Sequence, residues 1–241
     1  MSRLYKNIVI LTGAGISAES GLATFRSSNG LWNNHRVEDV ATVEGFQRNP
    51  ALVHDFYNEL KIEIQKAKPN PAHLAITKLQ KEYPGTVSVI TQNVDTLHEK
   101  AGNTNICHIH GQINQAVCLN CGHILETFGD VDTETTCPQC GISDMMKPNI
   151  VFFGENLLGM DKVEQLLQNC DLFISVGTSG VVFPAAAFVQ TAKYHGADTW
   201  EFTLEPTANN YYFDHHIYGP AGQTLPPFVD NLIRESRPEN N

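Results

Sequence analysis

The run Ile8-Val9-Ile10-Leu11-Thr12-Gly13-Ala14-Gly15-Ile16-Ser17-Ala18-Glu19-Ser20-Gly21 joins an apolar strand to a glycine-rich turn and a segment of helical character. A strand followed by Gly-x-Gly-x-x-Ala is a form of the dinucleotide fingerprint. Its glycines permit a tight turn and let main-chain N–H groups approach a pyrophosphate, and a helix N-terminus adds partial positive charge. The acidic residue that ordinarily ends a second strand ~20 residues later is missing. Thr24-Phe25-Arg26 and a loop through Trp32 follow instead, so a dinucleotide held here is not held in the ordinary way.

Outward from that turn the apolar pattern alternates between two periods. Val37 to Gln65 is helical, and Leu52, Phe56, Tyr57, Leu60 and Ile64 share one face of a helix opened by Asn49-Pro50 and broken at Lys68–Pro71. A second helix runs from Ala72 to Tyr83 and stops at Pro84-Gly85. Strands are expected at Val87–Ile90, Ile106–His110, Ile150–Phe153, Leu172–Val176 and Thr199–Leu204. Further helices are expected around Val163–Leu167, at Pro184–Tyr194 and, opened by proline, at Leu225–Ile233. Strands separated by helices imply an α/β fold, a parallel sheet with helices on both faces. Three strands end in small or polar residues: Thr12-Gly13, Thr91-Gln92-Asn93 and Gly177-Thr178-Ser179. The carboxyl ends of strands form the ligand crevice of such a sheet, so all three clusters are expected to face one site.

Between Gln112 and Lys147 the periodicity disappears and cysteines dominate. Cys118-x-x-Cys121 and Cys137-x-x-Cys140, with 15 residues between them, can close a tetrahedral Zn²⁺ site. Four thiolates leave no open coordination position, so the ion is expected to be structural. The insert has too few apolar residues to fold unaided, and metal binding would supply that free energy. Cys107 and Cys170 sit in apolar contexts and read as small core residues.

A hydrophobic share of 41% over 241 residues supports a real core, and no apolar run reaches the ~20 residues of a membrane span. The N-terminus enters a strand by residue 7, which leaves no room for a targeting segment and favours the cytoplasm. A net charge of −10 argues against a nucleic-acid groove. There is neither a Gly-x-Ser-x-Gly elbow nor a Walker-type lysine. His108 and His110 alternate on a strand, and a neutral imidazole is suited to taking a proton from a hydroxyl. His110, beside a likely seam and a polar strand end, is the stronger candidate, with Asn93 and Asp95 as matching polar groups. Ser17 and Ser20 read as helix caps.

Taken together, these segments resemble the sirtuin family of NAD-dependent protein lysine deacylases over nearly the whole chain. The match is carried by Gly13–Gly21, Thr24-Phe25-Arg26, Thr91–His98, His110-Gly111, the two Cys-x-x-Cys pairs, Phe153-Gly154-Glu155 and Gly177-Thr178-Ser179. Gly30-Leu31-Trp32, His35–Thr42 and Tyr218–Ala221 are most similar to the bacterial CobB-type, class III branch. The resemblance implies a Rossmann-like NAD-binding large domain (1–34, 72–111 and 148–241). It also implies a small domain with a helical part (35–71) and a zinc-ribbon part (112–147).

It further implies that NAD, a co-substrate, lies between them. Its contacts would come from Gly13, Ala14, Gly15, Ser17, Ala18, Glu19, Thr24, Phe25, Arg26 and Trp32, then Gln92, Asn93, Asp95 and His110. Gly177, Thr178, Ser179, Thr203, Leu204, Glu205 and Ala221 would complete the set. His110 and Asn93 would be catalytic. Acyl-lysine of a protein or peptide would enter between Tyr57, Leu60 and the strand Ile150, Val151, Phe152, Phe153, Gly154, Glu155, which adds a substrate strand. In the mechanism the resemblance implies, the acyl oxygen would attack the anomeric carbon of the nicotinamide ribose as nicotinamide leaves, and His110 would deprotonate a ribose hydroxyl so that it attacks the resulting imidate. The products are lysine, nicotinamide and O-acyl-ADP-ribose. The protein is taken as a monomer with neither nucleic acid nor membrane as partner.

Two departures from the pattern bear on substrate. A Tyr-x-x-Arg pair reads acidic acyl groups in the class III branch; here Tyr57 is kept and Leu60 replaces the arginine, so neutral acyl groups are favoured over succinyl. Lys61 points ~100° away and is a poor substitute. Thr203 stands where Asn is usual, with a shorter reach to the adenosine ribose. Rival readings are protein mono-ADP-ribosyl transfer from the same cleft and a non-catalytic NAD sensor.

Overall fold

The computed structural model describes residues 4–24, 31, 32 and 34–237. From the apolar run rises β1 (Asn7–Thr12), followed by a 3-10 helical stretch over Ala14–Ser20. The ribbon β2 (Leu31–Trp32) and β3 (His35–Arg36) leads into α1 (Val37–Val40), α2 (Val43–Arg48), α3 (Pro50–Lys66) and α4 (Pro71–Glu82). Next come β4 (Thr86–Thr91), α5 (Leu97–Ala101), β5 (Ile106–His108), β6 (Gly111–Cys118), β7 (Ile124–Glu126) and β8 (Met146–Ile150). The chain closes with α6 (Met160–Gln168), β9 (Leu172–Val176), α7 (Phe188–Tyr194), β10 (Asp198–Thr203), β11 (His215–Tyr218) and α8 (Ala221–Ser236).

Six strands pair in parallel in the order β11-β10-β9-β1-β4-β5, with the switch of direction between β1 and β9. This is the Rossmann order, whose ligands bind at the carboxyl ends beside that switch. The pleat sorts β1 between two cores. Ile8 and Ile10 pack with Ile76 and Leu79 of α4 and Leu225 and Val229 of α8, while Val9 and Leu11 pack with Val163 and Leu167 of α6 and Phe188 of α7. Helices therefore cover both faces, as a buried parallel sheet requires. Cys107 and Cys170 belong to the second of these cores.

Helix α3 starts where Asn49 Oδ1 accepts the Leu52 N–H at 3.1 Å, with Pro50 in its first turn. Its stripe of Phe56, Tyr57, Leu60 and Ile64 packs with Val40, Ile113, Ile150 and Phe152 in a third core.

Several elements differ from the sequence expectation. Within 112–147, where the sequence shows no periodicity, β7-β6-β8 form an antiparallel sheet running from Gly111 to Ile150. Its buried apolar residues are split between two cores, Ile113 and Ile150 in the third and Ala116, Cys118 and Met146, with Val131 and Cys137 of the loops, in a fourth, and a register shift between Gly111 and Ala116 breaks the alternation along β6. The strand expected at Ile150–Phe153 ends at Ile150. Beyond it the Val151 N–H bonds His110 O (2.9 Å) and the Phe153 N–H bonds Ala41 O (2.8 Å), so successive donors go to different segments and no ladder continues. The edge strand β11, four residues mostly exposed, was not expected. The proline-opened closing helix begins earlier than Leu225, at Ala221, and carries Pro226 and Pro227 inside it. The Pro184–Tyr194 helix splits into a 3-10 turn, Ala185–Ala187, and α7. No helix among the described residues is long and apolar enough to cross a membrane.

Candidate active site

Main-chain hydrogen bonds gather the carboxyl ends of four strands. Gln92 N donates to Thr12 O (2.9 Å), Gly13 N to Val176 O (3.1 Å) and Gly177 N to Phe202 O (2.9 Å). Gly15 and Gly177 lie against each other: a Cβ on Gly15 would come within 2.7 Å of Gly177 Cα, and Gly177 has φ +64°. The glycines thus first permit two chain segments to touch, and the loop that results borders the cleft. That cleft has a volume of roughly 770 Å³, and every described residue singled out in the sequence for cofactor or acyl-lysine contact lines it. Phe25 and Arg26 lie outside the described residues.

His110 follows β5 at the turn into β6. Its Nδ1 lies 2.9 Å from Gln92 O. A carbonyl oxygen only accepts, so Nδ1 carries the proton and Nε2 keeps its lone pair. Burial lowers the imidazole pKa, partly opposed by that bond, and the ring is a neutral base near pH 7. The pairing of His108 with His110 on one strand face does not hold. β5 ends at His108, whose Nε2 meets Glu99 Oε1 at 2.6 Å; His108 is not part of the cleft wall.

Asn93 and Asp95 are held by Ser17 rather than standing as mere turn residues. Asn93 Nδ2 donates to Ser17 Oγ (3.1 Å), which donates to Asp95 Oδ2 (2.8 Å), and Asp95 Oδ1 accepts the Leu97 N–H (2.9 Å). Ser17 is therefore not a helix cap, and the 3-10 stretch has no side-chain cap. Ser20 Oγ likewise serves elsewhere, accepting from Asn70 Nδ2 at 3.0 Å. Below this layer Thr12 Oγ1 meets Thr91 Oγ1 (2.9 Å) and His98 Nε2 (3.0 Å). Polar groups so fully engaged with one another fix the strand ends as a rigid floor. Glu19 Oε2 accepts the Gly222 N–H at 2.6 Å and ties the glycine loop to α8. Thr203 Oγ1 donates to Glu205 O at 2.8 Å, which occupies its hydroxyl hydrogen inside the protein.

At the other end of the cleft the wall is aromatic and aliphatic. Trp32 meets Phe56 and Tyr57 edge to face at centroid distances of 5.2 and 5.9 Å, and Tyr57 stacks on Phe152 at 6.1 Å. Leu60 is 7% exposed and lines the cleft. The Tyr57 hydroxyl is buried without a hydrogen-bond partner, and its pKa is raised, first by burial and then by the nearby Glu155 charge. Lys61 does point away: its Nζ donates to Gly129 O at 2.7 Å. Among the described residues the cleft wall carries Glu19, Asp95, Glu155 and Glu205 but no lysine or arginine.

The four cysteine sulfurs of Cys118, Cys121, Cys137 and Cys140 all lie within 4.8 Å of one another. Two edges measure 3.8 Å (Cys118–Cys140) and 3.7 Å (Cys121–Cys137). A tetrahedron with Zn–S bonds of ~2.3 Å has edges of about 3.8 Å, so the donor set and spacing fit one structural zinc ion. The two knuckles share a main-chain pattern, with Gly122 N bonded to Cys118 O (2.8 Å) and Gly141 N to Cys137 O (2.9 Å).

Ile64, Leu22, Phe183, Pro184 and Thr207 also line the cleft and were not singled out for it. Ile64 could have been found, since it stands four residues after Leu60 on the same helical stripe. The others reach the cleft only through tertiary folding.

The Sir2 family model matches residues 13–184. An NAD-dependent protein deacylase of Vibrio parahaemolyticus serotype O3:K6 is 50% identical over 231 residues, 95% of this chain and 96% of that protein. The NAD-dependent protein deacylase of Escherichia coli strain K12 is 49% identical over 229 residues, 94% of this chain and 82% of that protein. A crystal structure of a Sir2 homologue with NAD superposes with a TM-score of 0.88 at 34% identity, covering 97% of this chain and 91% of the other. The structure of Sir2Af2 bound to a myristoylated histone peptide gives a TM-score of 0.74 at 36% identity, covering 95% and 92%.

Proposed function

The chain belongs to the Sir2 family, and from that premise we propose that it is an NAD-dependent deacylase acting on acyl-lysine in proteins or peptides. The observation that carries the reading is His110: a neutral base whose Nε2 is free, in the same cleft as the glycine loop and the strand ends. Gly13–Gly15 and Gly177–Ser179 would receive the phosphates through main-chain N–H groups, with Thr203–Glu205 and Ala221 toward the adenosine. Gln92, Asn93 and Asp95 would hold the nicotinamide ribose, the Ser17 hydrogen bonds fixing the Asn93 amide. His110 Nε2 takes the proton from a ribose hydroxyl, which makes that oxygen nucleophilic. NAD is consumed as a co-substrate. The zinc ion would join the end of β6 and the turn after it (Cys118, Cys121) to the loop between β7 and β8 (Cys137, Cys140), and would touch no reacting atom.

The two units that close on NAD are residues 1–34, 72–111 and 148–241 on one side, and 35–71 with 112–147 on the other. Neutral acyl groups are the preferred substrates. A carboxylate at the end of an acyl chain would meet Tyr57 and Leu60, with no lysine or arginine on the described wall to pair it. Leaving a buried charge unpaired costs several kcal/mol. Nicotinamide release is to be measured with acetyl and succinyl forms of one peptide. The expected result is a kcat/KM at least ~10-fold higher for acetyl. Release with neither peptide would refute the deacylase reading, and a succinyl preference would refute the acyl assignment alone.

A further inference from the structure

Lys147 lies on β8 outside the cleft wall, yet it is only 6% exposed. Its ammonium donates to Glu155 Oε2 at 2.7 Å, Glu155 Oε1 at 3.0 Å and Ile150 O at 2.9 Å. It also sits 3.9 Å from the centroid of the Phe152 ring. Glu155 Oε2 accepts the Phe152 N–H at 2.7 Å as well. One buried cation thus binds both ends of the span from Ile150 to Glu155, and the carboxylate it pairs with grips the middle. The span is anchored to two other segments: the Val151 N–H bonds the carbonyl of His110 itself, and the Phe153 N–H bonds Ala41 O. Phe152 is fully buried against Tyr57, whereas Phe153, next along, is half exposed at the cleft. Any slip of the span would move the cleft wall relative to the His110 main chain.

We propose that Lys147 is a positioning residue for the acyl-lysine substrate, acting through Glu155. The ion pair holds the Ile150–Glu155 wall in register with His110. Glu155, singled out in the sequence as a substrate contact, turns its carboxylate inward to Lys147 and the Phe152 N–H, and so acts through the wall. Such a pair gives little net stability over an apolar replacement of both partners, and geometry is what it supplies. The inference rests on the deacylase reading.

The test compares wild type with Lys147→Met, Lys147→Arg and the double variant Lys147→Met/Glu155→Gln. Peptide KM, NAD KM and kcat are measured on one acetyl-peptide, together with the anisotropy of a labelled acyl-peptide. Removing the cation is expected to raise the peptide KM roughly tenfold, with NAD KM and kcat changed about twofold or less, and Arg is expected to restore it. The double variant removes both charges, avoids an orphaned carboxylate if Lys147→Met fails to fold, and is expected to show the same rise. A wild-type peptide KM in the double variant, an equal rise in NAD KM, or no rescue by Arg would overturn the positioning role. Absence of nicotinamide release by wild type would instead overturn the deacylase reading.

Discussion

In the six-stranded sheet, β1 buries five of its six residues against helices on both faces. In the three-stranded sheet, the eight-residue β6 buries only alternate stretches, and two of the five buried residues in that core are cysteines. Burying a large aliphatic side chain contributes roughly 1.5–3 kcal/mol, so the larger sheet can lose one contact and keep its shape. The smaller sheet has no such reserve, and a structural zinc ion contributes about 10–16 kcal/mol to peptides of comparable size. The two sheets meet where His110 lines the cleft: β5 ends at His108, β6 begins at Gly111, and His110 stands between them. Gly111 pairs with Ile150, has φ +83°, and a Cβ placed on it would clash with the Asn149 carbonyl oxygen. The small sheet therefore bears on the position of His110, the proposed base, although it supplies none of the residues proposed for the chemistry.

Removing the metal should separate the two sheets most sharply. Stripping zinc with a strong chelator, or replacing Cys137 by Ser, is expected to unfold β6–β8 and abolish turnover. Amide exchange in β1, β4 and β9 should stay slow. Full activity in a protein shown to be zinc-free would break the proposed dependence of His110 on the small sheet.

A smaller but still large effect is expected at the seam itself. His110→Ala leaves both sheets and the glycine loop intact, so NAD binding and zinc content should be those of wild type. Loss of a general base costs typically ~10²–10⁴-fold in rate, and deacylation is expected to fall in that range. Turnover within a few-fold of wild type would remove His110 from the mechanism.

The same contrast explains what the sequence makes legible. β1, β4 and β9 are read from uninterrupted apolar runs because both of their faces are buried. The zinc ligands are read from spacing alone, because chelation demands two close pairs. β6 and β7 are hidden because a mostly solvated sheet stitched by cysteines leaves no apolar alternation. The cleft itself is largely legible, since glycine loops and polar strand ends are local signals. The links that stiffen it are not: Ser17 to Asp95 spans 78 positions, and no local pattern announces such a pair. The link between Lys147 and Glu155, only eight apart, is missed for another reason. Their pairing depends on the chain leaving the β-ladder at Ile150, just where the sequence suggests that a strand continues.

The mildest test separates the two regions by acid. His110 has its pKa lowered below the ordinary 6.5, burial being the chief cause. A base must be neutral to work, so kcat/KM should be flat from pH 7 to 8 and fall only as pH drops below that depressed value. His73, fully buried on α4, has its pKa pushed down to about 3 by burial and then by His98. A histidine harder to protonate in the fold than in the unfolded chain makes the fold lose stability as pH falls from about 6.5 toward 3. That loss belongs to the large sheet and should appear in the melting temperature whether or not His110 is present. The activity limb, in contrast, should be reversible on a rapid return to pH 7. An acid limb centred above pH 7 would contradict the neutral, buried imidazole at the seam.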